Sequence, residues 1–178
     1  MAVKALEIES RSPLYGGVSF DNAGPYDQLD GTVHFAVDPG HAANGLITDL
    51  ELAPRDADGM VTCSADFTIL TPRDPGRGNH RILLDILNRG NRLALRYFNT
   101  AVAAEYPSAP LDPGNGFLMR QGYTIVWSGW QGDLLPMNGL LTTDLPEAMQ
   151  DGHRIRGKVR QEFIAEQEGV LSMPLSGS

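Results

Sequence analysis

The sequence predicts an α/β protein in three stretches: a β-rich N-terminal layer over residues 1–76, a β-α-β unit opening a parallel sheet over 77–150, and a strand excursion with an irregular tail over 151–178. Together they make one incomplete domain. Three observations carry this reading. The 20 glycines and 12 prolines are scattered as punctuation between short apolar runs, which is the rhythm of many short strands. Residues 61–69 alternate strictly, with Val61, Cys63, Ala65, Phe67 and Ile69 on one side and Thr62, Ser64, Asp66 and Thr68 on the other. Finally, an apolar run at 82–87, a helical pattern and a second apolar run at 123–127 follow one another in the order of a right-handed crossover between parallel strands.

Along the chain, weaker strands are expected at 3–9, 18–20 and 47–52, and a clearer one where Val33, Phe35 and Val37 alternate with Thr32, His34 and Ala36. The 61–69 strand should carry its odd-numbered residues inside, because a one-residue slip would bury Thr62, Ser64 and Asp66 without partners. After the turn-rich Thr71-Pro-Arg-Asp-Pro-Gly-Arg-Gly-Asn79, the 82–87 run reads like a strand buried on both faces, interrupted only by Asp85. That carboxylate either holds a neighbouring loop by hydrogen bonds or sits exposed where the sheet ends. Asn91 is a good N-cap for a helix over 91–104, with Leu93, Tyr97, Ala101 and Ala104 on one face and Leu95, Phe98 and Val102 broadening the stripe. A helical turn over 117–121, ended by Gly122 in the left-handed region, should lead into the second strand. A last alternation over 155–164 suggests a surface strand with one charged face.

Composition narrows the function. With 14 Lys and Arg against 22 Asp and Glu, the net charge of -8 repels phosphate backbones and anionic lipids, so neither nucleic acid nor a membrane is expected as a partner. The start lacks the basic-then-apolar run of a secretory signal, and a cytoplasmic location is expected. One cysteine, Cys63, excludes an internal disulfide and sits on the predicted buried face, where thiols tend to be inert. The four histidines have no ligand-like spacing, and neither a G-x-G-x-x-G run nor a phosphate loop is present, so no metal or cofactor is expected.

Ligands of open α/β sheets bind beyond the carboxyl ends of the parallel strands, where loops and helix starts converge. This selects Asn88, Arg89, Gly90 and Asn91, where Gly90 permits a tight turn and N–H groups can meet an anion. It also selects the loop holding Ser128, Trp130, Gln131 and Asp133. Each has a plain alternative: turn and cap geometry for the first, core and rim packing of Trp127 and Trp130 for the second. Ser128, in Val126-Trp-Ser-Gly-Trp130, lacks the outer glycines of a nucleophile elbow and is not expected to be a nucleophile.

Leu87-Asn-Arg-Gly-Asn91 and Asp112-Pro-Gly-Asn-Gly-Phe-Leu-Met-Arg-Gln-Gly-Tyr-Thr-Ile-Val-Trp-Ser-Gly-Trp-Gln-Gly-Asp133 resemble the front half of the bacterial α/β-hydrolase domain-containing proteins. The stretches Asp49-Leu-Glu-Leu-Ala-Pro54 and Ile155-Arg-Gly-Lys-Val-Arg-Gln-Glu162 extend the resemblance over nearly the whole chain. The resemblance implies an α/β-hydrolase-type sheet truncated before the nucleophile elbow, with the serine, acid and histidine beyond residue 178. It also implies that Asn88–Asn91 contribute to an oxyanion hole and that the substrate of the complete protein is a small ester or amide. The isolated chain is then expected to be inactive, and its open sheet edge to favour self-association. Two rivals are a free-standing β-rich binding module, its sheet edge capped by residues 155–166, and a non-catalytic half that pairs with another chain.

Overall fold

The computed structural model describes residues 2–102, 111–134, 139–158, 160, 162, 164 and 167–172. Its centre is one seven-stranded sheet built from β1 (Ala2–Pro13), β2 (Ser19–Phe20), β3 (Gly24–Val37), β4 (Val61–Pro72), β5 (Ile82–Asp85), β6 (Thr124–Ser128) and β7 (Thr143–Asp144). The path runs β1-β3-β4-β6-β5, with β2 added to β3 and β7 to β4. Every pairing in it is antiparallel except β5 with β6, which run parallel from Ile82 opposite Thr124 to Asp85 opposite Trp127. Two short helices, α1 (Ala94–Asn99) and α2 (Phe117–Arg120), lie in the connection between them. A separate hairpin pairs β8 (Met149–Gln150) with β9 (His153–Arg154). The protein is thus mixed α/β with a large, mostly antiparallel sheet.

The expected parallel pair is present, and the strands expected at 3–9, 32–37 and 61–69 fall inside β1, β3 and β4, which run further, to Pro13, back to Gly24 and on to Pro72. The 47–52 segment is not a strand. Asp49 takes a left-handed φ of 56° and Leu50–Leu52 closes as a 3-10 turn, a conformation that prevents extended pairing there. Residues 155–158 lie outside any strand, as do 160, 162 and 164; Val159, Gln161 and Phe163 fall outside the described residues.

The β4 register holds at Val61, Ala65 and Phe67, all buried, while Asp66 is only half-buried. Beyond Phe67 the opposite face is buried too, because Thr68 and Leu70 lie under the α1 and α2 segments. Leu70 joins Tyr26, Leu95, Leu118, Met119, Ile125 and Trp127 in the main core. The Tyr26 hydroxyl is within hydrogen-bonding distance of the carbonyls of Met119 (3.1 Å) and Tyr123 (3.0 Å), which fastens β3 to the end of α2. Burial pushes that hydroxyl's pKa well above its ordinary value.

The 82–87 run was expected to be buried on both faces, and here the structure differs. As an edge strand, β5 turns only Leu83 and Asp85 toward the core, and leaves Ile82 70% and Leu84 57% exposed. Val3, Leu6 and Ile8 of β1 are exposed as well, while Val33, Ala65 and Phe67 between the two edges form a small buried cluster. Helix α1 is shorter than the expected 91–104, running only from Ala94 to Asn99 and ending where Thr100 takes a left-handed φ of 53°, and its exposed face and its start differ as well. Ala94, Leu95 and Ala101 are buried, while Tyr97, Phe98 and Val102 face outward, and Ala104 lies outside the described residues. Its start is held by Asp85 rather than capped by Asn91. Gly122, at φ 76°, ends the α2 turn as expected.

One edge of the sheet is tied by charge. The buried Asp27 carboxylate accepts from Arg11 Nε and Arg73 Nε, both at 2.9 Å. Burial alone would raise its pKa, but the two guanidiniums outweigh burial and hold it below the usual carboxylate range. A group with a depressed folded pKa stabilises the fold above its unfolded value, about 3.9, and that contribution is lost as pH falls through the folded value. Urea midpoints measured from neutral pH downward should therefore fall below about pH 4, and Asp27→Asn should flatten that acid limb. An unchanged acid limb in Asp27→Asn would show that other carboxylates control it.

Candidate functional site

The carboxyl ends of β5 and β6 lie side by side, and the two loops selected from the sequence leave from them. In the first, the Asn88 N–H donates to the Asn91 carbonyl (3.4 Å) and the Asn91 N–H to the Asn88 carbonyl (3.0 Å). Arg89 and Gly90 between them have φ of 49° and 81°. Two successive left-handed residues inside such a bridge make a two-residue turn of the type that favours Asn and Gly. Among the described residues, the backbone N–H groups of Arg89 and Gly90 donate to no acceptor. A Cβ at Gly90 would also lie 2.8 Å from Leu134 Cδ1 and 2.9 Å from Leu140 Cβ, so the position needs glycine for contact as well as for φ.

The second loop is fastened to the first. Trp130 Nε1 donates to the Leu87 carbonyl (2.9 Å), Arg89 Nη1 lies 3.4 Å from Asp133 Oδ2, and the Leu141 N–H donates to the Gly90 carbonyl (3.1 Å). Trp127 is fully buried and Trp130 56% exposed, so the first packs the core and the second the rim. The Gln131 carbonyl accepts from Thr142 Oγ1 (3.0 Å), and its side-chain Oε1 is buried without a partner among the described residues. The Ser128 hydroxyl reaches only its neighbour's carbonyl, that of Gly129, at 3.5 Å. Among the described residues no general base is hydrogen-bonded to it.

Asp85 holds this region in place, which decides between its two sequence readings. Its Oδ2 accepts from the N–H groups of Leu93 (2.9 Å) and Ala94 (2.7 Å) and from Trp127 Nε1 (2.6 Å). A carboxylate from a strand thus does the work of an N-cap for the neighbouring helix and fixes where the 88–91 turn must end.

The sequence reading missed Arg92. Its Nη1 donates to Thr68 Oγ1 (3.0 Å), and that hydroxyl donates to Asp30 Oδ1 (2.7 Å). Burial lowers the pKa of this guanidinium while Asp30 raises it, and an arginine keeps its charge under both influences. The available signal was weak: Asp30 and Thr68 share one face of their strands, but their pairing is visible only once the β3–β4 register is known.

A cavity of about 340 Å³ opens beside the turn. Among the described residues its polar lining comes from Asn88, Asn91, Arg92, Arg96 and Asp112, and Leu93, Leu95, Val102 and Leu111 contribute apolar surface. Of the sequence-selected residues, Asn88 and Asn91 line it. Arg89, Gly90, Ser128, Trp130, Gln131 and Asp133 stand behind it or on the adjoining loop. A second hollow of about 310 Å³ touches Lys4, His34, Cys63 and Asp144. There burial, with Asp144 nearby, pushes the Cys63 thiol's pKa up, away from the reactive thiolate. Among the described residues no group of three or more His, Cys, Asp or Glu could hold a metal, and no helix is long and apolar enough to cross a membrane. Compared with family models, curated proteins and solved structures, the chain gives no match.

Proposed function

We propose that this chain is the front part of a cytoplasmic α/β hydrolase that cleaves a small ester or amide with a serine nucleophile supplied by sequence beyond residue 178. The observation that carries the reading is the pair of N–H groups at Arg89 and Gly90, without an acceptor among the described residues, in a two-residue turn at the carboxyl end of a parallel strand pair. Backbone donors fixed before the reaction are what an acyl-transfer site needs where negative charge develops on the carbonyl oxygen, and one such donor is worth about 10²–10³ in rate. In this assignment the Arg89 and Gly90 N–H groups receive the oxyanion. Asn88 and Asn91 border the substrate, and the Arg89–Asp133 pair and Trp130 keep the two loops together. Nucleophile and base come from elsewhere, since Ser128 has neither elbow nor base.

The experiment is fluorophosphonate labelling of two proteins: the purified 178-residue chain and the product of its longer reading frame. The chain alone should remain unlabelled and turn over no short acyl esters, whereas the longer product should be labelled at one serine beyond residue 178. Stoichiometric labelling of the 178-residue chain at Ser128, or a longer product with no reactive serine, would overturn the reading.

A further inference from the structure

The described residues that line the cavity beside the turn include both polar and apolar side chains, and its two guanidiniums differ in their partners. Arg92 is balanced by Asp30 through Thr68. The two carboxylate oxygens of Asp112 are taken by the protein's own backbone: Oδ2 accepts from the Val102 N–H (2.8 Å) and Oδ1 from the Gly114 N–H (2.9 Å). Arg96 has no carboxylate within ion-pairing distance among the described residues, and its guanidinium lies 6.0 Å from the centre of the Tyr97 ring. Leu95, Val102 and Leu111 leave room for an aliphatic segment, and about 340 Å³ is at the small end of ligand sites.

We propose that this cavity binds a small carboxylate with a short aliphatic body, the Arg96 guanidinium taking the carboxylate in a two-pronged contact while Leu95, Val102 and Leu111 cover the chain. Arginine suits this role because its planar fork matches both oxygens of a carboxylate. Asn88 and Asn91 line the cavity and flank Arg89 and Gly90 in the turn. Only the step that makes this carboxylate part of the hydrolysed substrate rests on the hydrolase reading; binding itself does not.

The test is an NMR titration of the 178-residue chain with hexanoate, hexanamide and hexylamine. Hexanoate should shift the amide signals of Arg96, Val102 and Leu111 saturably, and each of the other two should bind at least about tenfold more weakly. Arg96→Gln should weaken hexanoate binding by about tenfold or more, while Arg154→Gln, at an exposed arginine paired with Glu147, should leave it unchanged. Equal binding of hexanamide, preference for hexylamine, indifference to Arg96→Gln or an equal loss in Arg154→Gln would each overturn the inference. Turnover by the longer protein without carboxylate binding would remove this inference alone, and carboxylate binding without turnover would remove the hydrolase reading alone.

Discussion

Asp85→Ala is expected to lower the unfolding free energy by about 4 kcal/mol, because three donors lose a charged acceptor at once and hydrogen bonds to charged groups contribute about 1.5–3 kcal/mol each without being additive. The indole N–H of fully buried Trp127 would be left facing a small void. The Leu93 and Ala94 N–H groups would lose the acceptor that starts α1. Asp85→Asn keeps one acceptor oxygen without the charge, and about half of the loss is expected. Urea unfolding followed by tryptophan fluorescence measures both. A change below about 1 kcal/mol in the alanine variant would mean that water replaces all three bonds.

Gly129→Ala should cost about 3 kcal/mol or more, by forcing backbone apart rather than by removing a contact. An added Cβ would overlap the Thr142 carbonyl, and the clash is with main chain, which cannot rotate away. Relief requires the 129–132 loop to leave the segment carrying Thr142 and Thr143. That would break some of the bonds linking Gly129 N–H to the Asp66 carbonyl (2.8 Å), Asp66 N–H to the Thr142 carbonyl (2.9 Å) and Thr142 N–H to Asp66 Oδ2 (2.9 Å). Gly157→Ala is the control, since nothing lies within 4 Å of its added Cβ. If both variants unfolded at the same urea concentration, the close approach of Gly129 to Thr142 would be absent in solution.

Much of the architecture was legible because the strands announce themselves by period. Val61–Ile69 alternates, and the parallel pairing of β5 and β6 follows from apolar runs on either side of a crossover long enough to allow it. What was not legible depends on neighbours distant in sequence. Nothing local says that β5 is an edge strand, so Ile82 and Leu84 read as buried when they are exposed. Nor does local pattern show that a strand carboxylate replaces Asn91 at the start of α1, or that Tyr97 and Phe98 face outward. At the site, Asn88–Asn91 could be selected from their place after an apolar run. The role of Arg92 could not, since its partners Thr68 and Asp30 belong to strands 24 and 62 residues upstream.

The order of strands in space differs from their order in the chain, and this has a consequence for synthesis. As the polypeptide leaves the ribosome, β1, β3 and β4 can pair as they appear. Strand β5 emerges next, yet among the described residues its neighbour in the sheet is β6, which begins at Thr124. At about 5–20 residues per second, the roughly 40 intervening residues take about 2–8 s to make. Hairpins form within microseconds, so during that interval the free edge of β4 is open to the wrong partner. An apolar β5 that settles there must be displaced before β6 can insert, and a nascent chain stalled in this interval is the species most exposed to chaperone capture or aggregation.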